Sequence, residues 1–150
     1  MKKSIFIALF LIPFSVIAQQ GQFNNQNSYE VGIDYNTSYN ITDSADIGVI
    51  TKVRWTFGGT YGNTVLGHIG QQTNDYLYEV TFSNPIHVST FNSGSNEIAF
   101  MFGDLALSSE KIEIEITYID TSSAMNTKQL IDDEWFIVNP PVSVPPISGK

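Results

Sequence analysis

The sequence predicts an all-β fold, an antiparallel β-sandwich of roughly seven to eight strands. Three observations predict it. Apolar and polar residues alternate with period two through much of the chain. Glycine, proline, asparagine and serine clusters interrupt that alternation at short intervals. No long window carries the apolar stripe of an amphipathic helix.

The chain opens on a segment of another kind. Residues 1–18 begin with Lys2 and Lys3 and continue into an apolar run from Ile5 to Phe14, broken by Pro13. The run ends on Val16-Ile17-Ala18, with small residues where a signal peptidase reads them. A membrane-spanning helix needs about 20 apolar residues, and this run is shorter. The layout is that of a cleavable secretory signal peptide with its cut between Ala18 and Gln19, and the expected location is secreted, periplasmic or cell-surface. No later stretch approaches spanning length.

Residues 19–28, rich in Gln and Asn, read as a flexible lead-in. The sandwich is expected over 29–138. Its clearest strand is Lys111–Ile119, where Ile112, Ile114, Ile116 and Tyr118 share one face and Lys111, Glu113, Glu115 and Thr117 the other. Val49, Thr51, Val53, Trp55 and Phe57 form a second inward row, with Lys52, Arg54 and Thr56 outward. Tyr76, Tyr78, Val80 and Phe82 form a third. Ile98, Phe100 and Phe102 form a fourth. Weaker candidates cover 29–35, 64–69, 86–91 and 129–138. Gly58-Gly59, Gly62-Asn63, Asn84-Pro85, Ser93–Asn96 and Thr121–Asn126 punctuate the strands. Residues 139–150 hold four prolines and read as an extended tail or linker.

Composition narrows the function. There is no cysteine, which excludes disulfides, thiol nucleophiles and a lipidated N-terminus. Stability must then come from packing, for which 10 Phe, 7 Tyr and 2 Trp are well suited. Outside the leader, Lys52, Arg54, Lys111, Lys128 and Lys150 face all 15 acidic residues. So acidic a chain lacks the clustered cations that nucleic acids and anionic membranes require.

The segment Val53-Arg54-Trp55-Thr56-Phe57-Gly58-Gly59 resembles the Trp-bearing strand and glycine turn of immunoglobulin-like and PKD-like domains. In those families the Trp packs between the two sheets. The closing Val144–Gly149 looks like the linker between repeats of exported proteins of that type. The likeness spans about residues 45–120. The Gly-Asp-Gly turn of PKD-like domains stands here as Gly58-Gly59-Thr60, their later Gly-x-Tyr is missing, and the immunoglobulin cysteine pair is absent. The resemblance implies an Ig-like sandwich used for adhesion, spacing or carbohydrate contact, without catalysis.

Direct searches for chemistry agree with that. Only His68 and His87 are present, and neither accompanies a Gly-x-Ser-x-Gly elbow. Glu113 and Glu115 have the separation along one strand that glycosidases use, about 6–7 Å, but they alternate with isoleucines and read as a wet face. Asp34, Asp43 and Asp46, with nearby Asn and Thr, form a possible Ca²⁺ set without EF-hand spacing. Tyr35, Tyr39 and Tyr61 lie in polar or glycine-rich segments and are expected to be exposed, as sugar-stacking rings would be.

Two readings follow: a non-enzymatic structural or adhesive module, and a carbohydrate-binding module contacting glycans through loop aromatics. The partner is a surface protein or a glycan. Self-association through a long exposed edge, such as strand 111–119, is a further expectation.

Overall fold

A computed structural model describes residues 20–57, 77–102 and 109–140, and the backbone of 65–67 and 72–74. The leader and the tail beyond Pro140 lie outside the described residues. So do Tyr61, His68 and Tyr76.

Ten strands are described. They are β1 (Gly21–Phe23), β2 (Ser28–Glu30), β3 (Asp34–Ile41), β4 (Ile47–Phe57) and β5 (Val65–Gly67). They continue as β6 (Gln72–Asn74), β7 (Leu77–Ile86), β8 (Glu97–Phe102), β9 (Ser109–Asp120) and β10 (Thr127–Asn139). They form two sheets, β1-β3-β8-β5 and β2-β10-β9-β4-β7-β6. The molecule is a β-sandwich. Every pairing is antiparallel except β2 with β10, which is parallel.

The core lies between the sheets and is largely aromatic. Tyr29 packs edge-on against Phe100 (5.2 Å) and Phe136 (4.8 Å), and Phe57 meets Phe100 at 5.1 Å. Trp55 is 1% exposed and faces inward, in phase with Val53 and Phe57. On β9 the alternation holds as expected: Ile112, Ile114 and Ile116 are fully buried. On β8, Ile98, Phe100 and Phe102 are buried in the same way.

Along β4 the expected phase fails in its first half. Ile47 and Ile50 are buried, where Val49 and Thr51 were expected inward. The ladder to β9 slips twice, between Ile47 and Val49 and between Ile50 and Lys52. Each slip is a β-bulge that sets two residues against one, so the inward face moves by one position. Gly48 sits in the first bulge, where a Cβ would come within 2.8 Å of the Ile119 carbonyl oxygen.

Three other expectations are corrected. Part of the lead-in is paired: β1 adds to β3, and Phe23 packs on Tyr39 at 4.9 Å. Residues 86–91 are not a strand of their own. After Ile86 ends β7, Val88–Thr90 make one α-helical turn (α1) that runs into a π-helical turn at Phe91–Ser95. The i, i+3 pair Val88 and Phe91 turns inward there, and Phe91 is fully buried. Finally, β9 is an interior strand between β10 and β4, so it is no edge.

Candidate functional site: the outer face of the six-stranded sheet

Alternation sends every second residue of the six-stranded sheet to its outer face. On β9 these are Lys111, Glu113 and Glu115; on β4, Lys52, Arg54 and Thr56. Cross-strand register sets Arg54 opposite both Glu115 and Glu79, and Glu113 opposite Asp133. The charges pair accordingly. Arg54 Nε meets Glu79 at 2.8 Å and its Nη1 meets Glu115 at 3.8 Å; Lys52 reaches Glu79 at 3.6 Å. Lys111 contacts Glu113 at 2.9 Å and Asp133 at 3.6 Å. Gln129 donates to Glu115 at 3.1 Å.

The protonation states follow. The Arg54 guanidinium, with help from Lys52, holds the Glu79 carboxyl below its usual range. The hydrogen bond to Glu113 raises the Lys111 ammonium. Solvent-exposed pairs of this sort add little stability. Their larger effect is electrostatic: three of the five cations outside the leader gather here, so this face is nearly neutral in an acidic molecule.

Beside the lattice runs an apolar row. On β10, Leu130, Phe136 and Val138 face the core, which turns Ile131, Asp133, Trp135 and Ile137 outward. Ile131 is 59% exposed, and Trp135 and Ile137 are each 58% exposed. Trp135 stands opposite Lys111 in the ladder. This row was legible in the sequence as a strand apolar on both faces, yet sequence reasoning counted Trp135 only as part of the aromatic supply.

The tyrosines singled out in the sequence lie elsewhere. Tyr39 is fully buried, a correction to its expected exposure: its ring packs between the sheets and its hydroxyl donates to Asp132 at 2.9 Å. Burial first, and Asp132 second, push that hydroxyl far above the usual tyrosine range. Tyr35 is half-buried; its ring lies 4.7 Å from Tyr29 and its hydroxyl accepts the Glu30 N–H at 3.0 Å. Neither offers an open ring for a sugar.

The proposed Ca²⁺ set is not assembled. Asp34 begins β3, while Asp43 and Asp46 follow its far end, about 23 Å along the strand by its rise. Asp43 instead accepts the Ala45 N–H at 3.1 Å, as a turn residue does. Glu113 and Glu115 lie on the outer sheet face within ion pairs. His87 is exposed at the head of α1.

One cavity of about 190 Å³ opens between the sheets, lined by Trp55, Tyr78, Val80, Phe82 and Glu97 among others. Its walls come from the inward rows of β4 and β7 on one side and from Gly94, Ser95 and Glu97 on the other.

No family model matches the chain, and no curated protein matches it. Among solved structures it is similar to the cohesin module of a Clostridium perfringens family 33 glycoside hydrolase. The identity is 8% and the TM-score 0.45, over 81% of this chain and 96% of that module.

Proposed function

We propose that the chain is a non-enzymatic, exported binding module of Ig-like type, and that it engages a partner protein through the outer face of the six-stranded sheet. One observation carries the reading: Ile131, Trp135 and Ile137 are all more than half exposed in one row. Beside them lies the one described face where most of the chain's cations offset its acids. Exposed large apolar side chains next to neutralised charge are what a protein interface presents. A lone Trp with two aliphatic neighbours favours a protein over a sugar, because isoleucine offers a pyranose no flat ring.

A glycan is the second reading, and Trp135 favours it. An open indole flanked by Asp133, Glu113 and Lys111 supplies both a stacking plane and hydroxyl partners.

The test is a paired screen of the chain and its Trp135→Ala variant against soluble polysaccharides and against surface proteins of the producing cell. Saturable binding to a protein, lost in the variant at unchanged thermal stability, supports the first reading. The same pattern with one polysaccharide class transfers the face to glycans. Binding that survives the substitution removes the face from consideration, and turnover of any ligand refutes the non-enzymatic reading.

A further inference from the structure

β10 runs from Thr127 to Asn139, and β9 covers one of its edges from Thr127 to Ile137. The other edge meets β2 only at Ile137, Val138 and Asn139. Among the described residues, no strand pairs with that edge from Thr127 to Phe136. An unpaired edge of this length offers main-chain donors and acceptors to another strand. No proline interrupts it, and its only lysine is Lys128.

We propose that this edge pairs with the same edge of a second copy, antiparallel about Ile131, so that the two six-stranded sheets join into one. The inference rests on the backbone edge and not on the partner-binding reading, although it takes Ile131 from that face and leaves Trp135 and Ile137 as its open apolar residues.

Two features select a second copy. The first is the shape of the slot. It is closed at one end by β2 beside Ile137, and at the other it ends where the strand begins at Thr127. A two-fold pairing that uses the whole edge has its axis near the edge's midpoint, which falls between Ile131 and Asp132. The second is charge. With the axis at Ile131, Lys128 of each copy faces Glu134 of the other, Gln129 faces Asp133, Thr127 faces Trp135, and Ile131 faces itself. No acid then faces an acid. With the axis at Asp132, that carboxylate would face its own copy, and Lys128 would face Phe136. The inward acids Asp132 and Glu134, held by Tyr39 and Asn25, thus act as register markers. Lys128 now contacts Asp120 with its side chain 48% exposed, within reach of a neighbour's Glu134. Ile131, otherwise 59% exposed, becomes covered.

The absence of native cysteine makes the test direct. Directly opposed residues of an antiparallel pair have Cα atoms about 4.5–5.5 Å apart, which a disulfide spans. Under mild oxidation Ile131→Cys should convert to a covalent dimer. Asp133→Cys alone should not, whereas a mixture of Gln129→Cys and Asp133→Cys chains should cross-link. By sedimentation, the unmodified chain should show twice the monomer mass. Ile131→Lys, which sets two charges on the axis, should run as a monomer with an unchanged circular dichroism spectrum. A chain that is monomeric at all concentrations overturns the proposal, even if its edge captures an unrelated extended peptide. So does a dimer indifferent to Ile131→Lys, or an Asp133→Cys chain that cross-links as well as Ile131→Cys.

Discussion

Tyr39 shows how much one side chain decides here. Its ring is buried, Gly21 lies so close that a Cβ there would come within 2.5 Å of ring atoms, and its hydroxyl reaches Asp132 across the sheets. The folded state therefore favours the neutral phenol. A folded pKa raised above the unfolded value adds stability that is whole below about pH 10 and lost as pH rises toward the folded value. Titration of tyrosinate absorbance should leave Tyr39 and Tyr29, whose hydroxyl is raised for the same main reason, silent until the protein unfolds. Smooth ionisation of all seven tyrosines in the folded state would contradict this. Tyr39→Phe should cost about 1 kcal/mol in denaturant unfolding and soften the alkaline limb. The two tryptophans give a sharper contrast. Trp55→Ala empties a core position and should cost about 3–5 kcal/mol. Trp135→Ala removes an exposed ring and should stay within about 0.5 kcal/mol. Equal losses would mean that Trp135 packs in the protein and is no surface anchor.

Among the elements, β4 is the most instructive. Its buried positions are Ile47, Ile50, Val53, Trp55 and Phe57, so two steps of three precede two steps of two. Only the second half shows its period in the sequence, because a bulge leaves no mark in local composition. Gly48 is the single clue, and its role lies in the approach of the β9 backbone, a contact distant in sequence. Gly48→Ala should therefore cost about 1–3 kcal/mol, since the clashing atom is a carbonyl oxygen that cannot rotate away. Deleting Thr51 should be milder. It removes a bulge residue and leaves Ile50 and Val53 two apart, both still inward. Deleting Thr56 should unfold the chain, because Phe57 would turn to solvent. Thermal melts of the three variants check the order, and a Thr51 deletion as damaging as the Thr56 deletion would refute the bulge. Elsewhere legibility tracks where the information resides. β8 and β9 could be read outright because each carries its own alternation. β1 and β3 were missed for opposite reasons. β1 is too short to show a period and exists through its pairing with β3. β3 does alternate through Thr37, Tyr39 and Ile41, but its polar composition resembles a loop. That error also moved Tyr39 outside and set Asp34 beside Asp43. The apolar row of β10 was visible but is ambiguous alone, since only topology shows which of its two apolar faces has a sheet opposite.

At the scale of the whole molecule, charge sets the stability profile. The net charge is −8 and the isoelectric point about 4.4. Among the described residues each cation is engaged: Lys52, Arg54 and Lys111 in the outer lattice, and Lys128 with Asp120. The surplus acids repel one another and oppose the compact state at neutral pH. Lowering the pH toward 5 relieves that repulsion while the ion pairs stay intact. The carboxyls that matter hold out longest: Glu79 lies below its ordinary 4.5, chiefly through Arg54, and Asp120 below its ordinary 3.8, through Lys128 and the Ser122 N–H. A depressed folded pKa contributes stability that is whole above the unfolded value and lost as pH falls through the folded one. The melting temperature should therefore hold or rise from pH 7 to about 5 and then fall steeply below about 4. Added salt should raise it at pH 7, where screening relieves the net repulsion, because the exposed pairs it also weakens contribute little. Asp120→Asn should be less stable than the unmodified chain at pH 7, and the gap should narrow as the pH falls below the ordinary aspartate range and the Asp120 carboxyl takes up its proton. A melting temperature already falling between pH 7 and 5 would mean that groups titrating in that window, and not the pairs at Glu79 and Asp120, set the acid limb.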